Sequence, residues 1–491
     1  MPIADTLLPF DLPMKPIVAG KPCDCFRGGG DSDLLIVRAP VKGHPEVGHC
    51  YRLDESKVES VAKAAVVTFE RYRKTPLEDR VLILERLAAS LEYEAKGLAQ
   101  LIVAESGKPL KLARIEVARG VALCRAYVDA VSGWEQDRRI DTLPDEKQAR
   151  LRQVPRGPAL GITPFNFPLN LALHKLLPAI GAGCSMVLKP ASQTPLTALW
   201  LGQLAVESGY TALSVVPCSS NVAMQLAEHD AFAKLSFTGS AMVGWQLHTL
   251  AERKSVTLEL GGNAACIIDT VAEGELEAVA KRCAEGAFWY AGQICISLQR
   301  IYVRRPLYQD FLDALIDATH WLKIGDPIDP MTDVGPMISS NDVTRTHRLV
   351  KEAQICGAEA VTGGVPLDDT IYSPTILVRT TPDMTVNREE VFAPLVTITP
   401  YDTLDEAFAL ANDSDYGIQT GLYTTDPEVA NRAFDVLEAG GVVINDIPTY
   451  RADLLPYGGV KQSGLGREGV LGGLESYCTP KTLLFPADFS L

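Results

Sequence analysis

From position 56 onward, apolar residues recur at helical spacing. Val58, Val61, Ala62, Ala65, Val66 and Phe69 form one stripe, the pattern of a helix that buries a single face. Ser56 and Glu59 precede the stripe as Ser-x-x-Glu, which predicts a capping box. A second helix is predicted to open at Thr75-Pro76, with proline in its first turn, and to stop near Gly107. Between residues 159 and 260 the pattern changes. Short apolar runs (ALGIT, SMVLKP, SVVP, KLSFTG, SVTLEL) alternate with helical runs such as TALWLGQLAVES and AMVGWQLHTLAER. That alternation predicts an α/β unit whose parallel sheet carries helices on both faces. A second alternating region spans residues 274–447, with a strand at IYVRR and a helix around 404–412. Residues 133–155 read as a polar β-hairpin with little core of its own, which pairing with another subunit would stabilise. Residues 1–50, with Gly28–Gly30, read as irregular chain with short strands and no chemistry.

The chain has 491 residues, enough for about three domains or subdomains. It is 47% hydrophobic, so large cores are available and general disorder is excluded. Lys and Arg number 46 against 61 Asp and Glu, a formal charge of −15. That balance argues against nucleic-acid binding, which needs a basic face. Eleven cysteines are too sparse for a disulfide scaffold, and the odd number fits reduced, intracellular thiols. Cys23-Asp24-Cys25 lacks a second Cys/His pair, so no metal site is expected there. The first twenty residues do not have the basic start and unbroken apolar core of a signal peptide. The longest apolar stretch, residues 168–188, is interrupted by His174 and Lys175, so no membrane span is expected. These features predict a cytoplasmic protein.

In open parallel sheets, ligands bind at the carboxyl ends of the strands. Four predicted strand ends here carry polar groups: Asn166, Lys189 with Ser192, Ser240, and Glu259. The phosphate-binding G-x-x-x-x-G-K-[ST] loop is absent, as are H-E-x-x-H and G-x-S-x-G, and no G-x-G-x-x-G loop follows any of the five predicted strands. Instead, seven segments follow in order: PFNFP (164–168), KPASQTP (189–195), FTGSAMVG (237–244), ELGG (259–262), GQIC (292–295), EEVFAP (389–394) and PYGGVKQSGLGREG (456–469). Together they resemble the NAD(P)-dependent aldehyde dehydrogenase superfamily, from about residue 50 to the C-terminus. The resemblance implies a Rossmann-like cofactor domain (1–131 and 156–258), a second α/β catalytic domain (259–455), and a β-hairpin oligomerisation element (132–155 and 478–491). It also implies a homodimer or homotetramer.

On that resemblance, Cys295 is the expected nucleophile, because a thiolate turns an aldehyde into an adduct that readily gives up hydride. Asn166 is expected to donate its amide N–H to the developing oxyanion, together with the backbone N–H of Cys295. Glu259 is expected to activate water against the resulting thioester. Members that pass the acyl group to coenzyme A lack this glutamate, so Glu259 favours hydrolysis to the free acid. A CoA-acylating enzyme and a non-catalytic structural protein on the same scaffold are the alternatives.

The same family pattern implies a cofactor site. Ser240 and its helix N-terminus face the pyrophosphate, Lys189 faces the adenine-side ribose, and Glu390 with Phe392 faces the nicotinamide-side ribose. Thr163, Pro164, Phe165, Gly239 and Gly261 flank these positions, and Ser219 stands where many members have Gly. NAD-preferring members often place Glu at the position of Ser192. A neutral Ser192 beside Lys189 removes that repulsion, so NADP is expected to be accepted as well as NAD. Arg119, Phe167, His174, Ile294, Ile296, Arg451 and Tyr457 match substrate-tunnel positions. Two arginines and a histidine suit a small aldehyde bearing a hydroxyl or an anion. The segments CISLQR and INDIPTYRADLLPYGG look similar to those of the lactaldehyde, glyceraldehyde and phosphonoacetaldehyde group. Phosphonoacetaldehyde-specific members carry His after the catalytic Asn, where this chain has Phe167.

Overall fold

Five short strands, β1 (Ala159–Ile162), β2 (Met186–Lys189), β3 (Leu213–Val215), β4 (Lys234–Thr238) and β5 (Ser255–Glu259), run parallel in the order β3-β2-β1-β4-β5. They belong to a computed structural model that describes residues 14–23, 34–143 and 147–489. Strands β1 and β2 are buried at every position, which is why ALGI and MVL read as continuous apolar runs without alternation. Short antiparallel strands close the sheet, Ile17–Val18 beside β3 and Gly464–Leu465 beside β5. The strand order reverses between β1 and β4, so a crevice opens at their carboxyl ends.

Helices cover both faces. α1 (Leu110–Ser132) packs on α2 (Asn170–Ala182), which follows β1, while α3 (Pro195–Glu207) follows β2 and α4 (Ala241–Ala251) follows β4. All thirteen residues of α2 are buried. A helix wrapped on all sides is expected to be apolar throughout, so its polar members Asn170, His174 and Lys175 need partners.

From β5 the chain passes directly into a second sheet of seven strands with its own apolar core. Its central strands β6 (Ala264–Ile268) and β7 (Leu298–Arg304) are parallel neighbours. Helix α5 (Leu276–Phe288) and the loop 289–297 connect them. Asn166, just past β1, donates to the Gln293 carbonyl of that loop, which places the loop at the carboxyl end of the first sheet. A third, three-stranded antiparallel sheet joins Asp137–Leu143, Lys147–Pro155 and Cys478–Pro486. Among the described residues, no helix is long and apolar enough to cross a membrane.

Three local expectations are corrected. The first helix is Val58–Tyr72, but Ser56 does not cap it. Asp54 accepts from the Ser56 backbone N–H at 2.7 Å and starts a 3₁₀ turn, because a carboxylate two residues earlier reaches the free donors first. Glu59 pairs with Lys63 and His229. The segment predicted as one helix from Thr75 to Gly107 is two, Leu77–Tyr93 and Ala95–Ser106, because the chain turns at Glu94 (φ −86°, ψ 6°). Pro76 is extended and lies outside the first of them, whereas Gly107 ends the second in the left-handed conformation (φ 69°), which glycine tolerates. Cys23 is disulfide-bonded and not a free loop thiol. Gly28–Gly30, Asp24 and Cys25 lie outside the described residues.

Candidate active site

Cys295 sits in the loop between α5 and β7, and the loop is shaped by its backbone. Tyr290 and Ala291 both hold left-handed geometry (φ 52°), and Gly292 follows at φ 68°. A Cβ on Gly292 would fall 2.0 Å from the Ala393 carbonyl oxygen, and one on Gly262 would fall 2.1 Å from the Cys295 carbonyl oxygen. Glycine at these two points lets three backbone segments meet. Gln293 then fixes the loop: its amide donates to the Tyr290 and Pro336 carbonyls and accepts from the Ile338 N–H. The Gln293 carbonyl accepts from Asn166 Nδ2 at 2.9 Å, tying the loop to the end of β1. Asn166 Oδ1 has no partner among the described residues.

Cys295 Sγ lies 3.3 Å from the Tyr457 hydroxyl. Burial pushes its thiol up to about 11, although Tyr457 and Arg451 pull it down, so the resting form near neutrality is the neutral thiol. The sulfur faces a cavity of about 390 Å³. Asn166, Phe167, Arg119, His174, Ile294, Ile296, Arg451 and Tyr457 all line it, as do Pro164, Phe165, Gly239, Ser240, Gly261, Glu390 and Phe392. The cavity thus brings together two of the three expected catalytic residues, every expected substrate residue, and seven of the expected cofactor residues.

Glu259 ends β5 and is buried, but it does not line this cavity. Neither carboxylate oxygen has a hydrogen bond among the described residues. Burial, then the nearby Glu468, raise its carboxyl well above the usual range. Glu468 itself is held low, since Lys175, His174 and Arg451 outweigh its burial. Lys175 Nζ donates to Ser236, Thr238 and Glu468.

Thr163, Lys189, Ser192 and Ser219 also stay outside the cavity. Lys189 ends β2, and Ser192 is exposed in the loop that follows. The Ser219 hydroxyl accepts from Val222 N–H and caps the helix Ser220–Glu228. Ser240 is the N-cap of α4, yet its side chain makes no capping hydrogen bond. Ser240 itself lines the cavity, so its hydroxyl stands there without a capping role. Glu390 accepts from Gly262 N–H at 3.0 Å and is pushed up to about 7 by burial. Phe165 and Phe392 meet edge to face, with centroids 6.0 Å apart.

Sequence reasoning missed Lys108 and Glu116, which line the cavity, and Asp453, which contacts the lining side chains Arg119, His174 and Arg451. Asp453 accepts from Arg119 through both oxygens (3.0–3.2 Å) and pairs with Arg451 Nε at 2.9 Å. Burial alone would raise its carboxyl, but His174, Arg451 and Arg119 drive it far below the usual range. Arg451 also stacks on the Tyr457 ring at 3.8 Å. Lys108 pairs with Glu116 in full burial, and its ammonium lies 3.6 Å from the Phe167 ring centroid. Burial holds this lysine down at about 8. Glu116 Oε1 in turn accepts from the N–H groups of Leu169 and Asn170 at the start of α2.

A family model described as the aldehyde dehydrogenase family matches residues 29–483. A 3-sulfolactaldehyde dehydrogenase from Priestia aryabhattai is 38% identical over 431 residues, 86% of this chain and 88% of that one. The crystal structure of aldehyde dehydrogenase 21 from Physcomitrella patens, in complex with its product succinate, superposes with a TM-score of 0.92 at 34% identity, covering 97% of this chain and 99% of that one. A glyceraldehyde-3-phosphate dehydrogenase from Methanocaldococcus jannaschii, complexed with NADP, gives a TM-score of 0.87 at 30% identity, with 92% and 99% covered.

Proposed function

The chain belongs to the aldehyde dehydrogenase family, and from that premise we propose that Cys295, Asn166 and Glu259 carry an NAD(P)-dependent oxidation of a small polar aldehyde to its acid. The observation behind this reading is the convergence of Cys295 and Asn166 on one cavity that Arg119, His174 and Arg451 also line.

The Cys295 sulfur adds to the aldehyde carbon, and its proton ends on the former carbonyl oxygen, giving a hemithioacetal. The free N–H of Asn166 and the Cys295 backbone N–H stabilise that oxygen as charge develops. The bond to Gln293 fixes the plane of the Asn166 amide beforehand, so little reorganisation remains for the reaction. The nicotinamide, when bound, supplies the hydride acceptor, and the hydroxyl proton of the hemithioacetal passes to solvent, which leaves the acyl group on Cys295 as a thioester. Glu259 turns from its buried position and takes a proton from water, which adds to the thioester and releases the acid and the Cys295 thiol.

The residues fit a dinucleotide. The uncapped N-terminus of α4, with Ser240, suits a pyrophosphate. Glu390 and the Phe165–Phe392 pair stand in the same cavity as Cys295, and Gly239, Gly261, Pro164 and Thr163 shape the approach. Lys189 and Ser192, at the end of β2, suit the adenine-side ribose, with Ser219 at the neighbouring helix start. With no carboxylate at position 192, a 2′-phosphate meets no repulsion, so NADP is accepted alongside NAD. Ser192→Glu is expected to lower kcat/KM for NADP more than about tenfold while leaving NAD within a factor of about three. Steady-state kinetics with both dinucleotides decide this; equal losses for the two would refute it.

Asp453 already neutralises one of the two arginines, so the cavity suits a hydroxylated aldehyde. A second reading, an aldehyde with an anionic tail, is favoured by the sulfonate-bearing and dicarboxylate names among the relatives. Nicotinamide reduction with glycolaldehyde, glyceraldehyde, succinate semialdehyde and propanal, followed by identification of the acid with and without coenzyme A, tests both. No turnover of any aldehyde, or an absolute need for coenzyme A, would overturn the proposal.

We assign residues 1–131 and 156–258 to cofactor binding, 259–455 to the catalytic domain, and 132–155 with 478–491 to subunit contact. Leu483 and Leu484 on the three-stranded sheet are exposed, which suits a homodimer or homotetramer. We also place the protein in the cytoplasm, since nine of the ten described cysteines are free thiols, eight of them outside the proposed site, against one disulfide-bonded cysteine, Cys23.

A further inference from the structure

Asn170 and His174 lie four residues apart on α2, so they share one helix face, and both line the cavity that holds Cys295. Asn170 is 2% exposed and His174 is 3% exposed. Even so, both amide atoms of Asn170 and the Nδ1 of His174 have no hydrogen-bond partner among the described residues. Buried polar groups are almost always paired, and leaving three of them unpaired on one face of a fully buried helix is costly. The rest of that helix face is apolar, so the chain keeps these groups where a leucine would pack at less cost.

The His174 ring is oriented by its neighbours. Arg451 Nη2 lies 2.9 Å from His174 Nε2. Asp453 Oδ1 lies 3.2 Å from the same nitrogen, so Nε2 is engaged in either tautomer, accepting from the guanidinium or donating to the carboxylate, and Nδ1 is the free edge of the ring. Burial, reinforced by Arg451, holds the ring below the usual histidine range, which keeps it neutral. The helix face therefore carries both a donor and an acceptor at Asn170, with one further unpaired polar atom, His174 Nδ1, on the same face. An alcohol group needs this combination, because its oxygen accepts while its O–H donates. An anion would use only the donors and would leave Asn170 Oδ1 facing it.

We propose that Asn170 and the Nδ1 edge of His174 form a hydroxyl-recognition subsite that selects aldehydes bearing an alcohol group over the same aldehydes without one. This rests on the dehydrogenase reading above and narrows its substrate class to hydroxyaldehydes. Matched pairs test it: lactaldehyde against propanal, and glycolaldehyde against acetaldehyde, each pair differing by one oxygen. The wild-type enzyme is expected to prefer the hydroxylated member by about 100-fold in kcat/KM, since its absence strands buried polar groups. In Asn170→Leu that ratio is expected to collapse by about 30-fold, with no fall in thermal stability because the unpaired amide is gone. Should Asn170→Leu fail to fold, Asn170→Ser carries the same ratio test with an intermediate value expected. A wild-type ratio near one, or parallel losses that preserve the ratio in the variant, would overturn the subsite and leave the dehydrogenase reading standing. Absence of nicotinamide reduction with all four aldehydes would overturn both.

Discussion

Cys295→Ser is expected to lower aldehyde oxidation by at least about 10³-fold while leaving the thermal unfolding temperature within about two degrees of the wild type. The side chains are nearly isosteric, and the loop that presents them is held by Gln293, Gly262 and Gly292, not by the sulfur. What changes is nucleophilicity. A serine hydroxyl in this buried position has no base within its hydrogen bonds, since the contact of atom 295 is the Tyr457 hydroxyl. The cofactor-free enzyme offers a second measurement of the same sulfur. Burial raises the thiol to about 11, so the thiolate fraction near neutrality is small and grows about tenfold per pH unit up to that value. Alkylation of Cys295 by iodoacetamide should therefore accelerate steadily from pH 6 to pH 9 with no plateau. A plateau below pH 8 would mean that the thiol is activated at rest, contrary to the desolvation argument. Retention of more than a tenth of the activity in Cys295→Ser would remove Cys295 from the chemistry.

How the site is encoded explains which parts of it could be read in advance. The five strands of the first sheet were legible because each is a short apolar run bounded by turns, and a buried parallel strand needs nothing more. Their ends were legible too: Lys189, Ser240 and Glu259 break apolar runs at the point where a parallel sheet binds ligands. The ion network was not. Arg119, His174 and Arg451 read as three cationic or polar groups along one tunnel, but Asp453 draws all three together from α1, α2 and the C-terminal segment. Those contacts span 279 and 334 positions of chain, from Asp453 to His174 and to Arg119, and no local pattern encodes them. The one signal was Arg451-x-Asp453, where opposite charges stand side by side on a buried segment. Asn170 carried a signal of a different kind, an amide at a position where helix spacing demands an apolar residue. The helix break at Glu94 had none, because its sequence continues the helical pattern.

Glu259→Gln is expected to separate the two halves of the reaction. Acylation of Cys295 does not consume water, so about one nicotinamide should be reduced per active site in a rapid burst. Steady-state turnover should then fall by about 10²–10⁴-fold, the range for loss of a positioned general base. Rapid-quench kinetics would read the burst, and intact-mass spectrometry would find the acyl group on Cys295. Two features of the wild-type carboxylate bear on its pH dependence. Burial, and then Glu468, raise the Glu259 carboxyl well above the usual carboxylate range. The base form is therefore gained as pH rises through that raised value, and the deacylation rate should climb with it. In Glu259→Gln the climb should vanish from the steady-state rate. The same raised carboxyl sets the sign of the stability change. A carboxylate with a higher folded than unfolded pKa contributes stability only at low pH and loses it as pH rises through the folded value. At pH 8, above the range in which a free carboxyl ionises, the wild type therefore bears the cost of either holding its buried carboxyl protonated or ionising it without a hydrogen bond, and glutamine does not. Glu259→Gln should unfold at a higher temperature than the wild type at pH 8, with the difference shrinking toward pH 4. A variant that is slow and also less stable at pH 8 would show that Glu259 holds the structure. A variant with no burst would place it before the thioester, not after it.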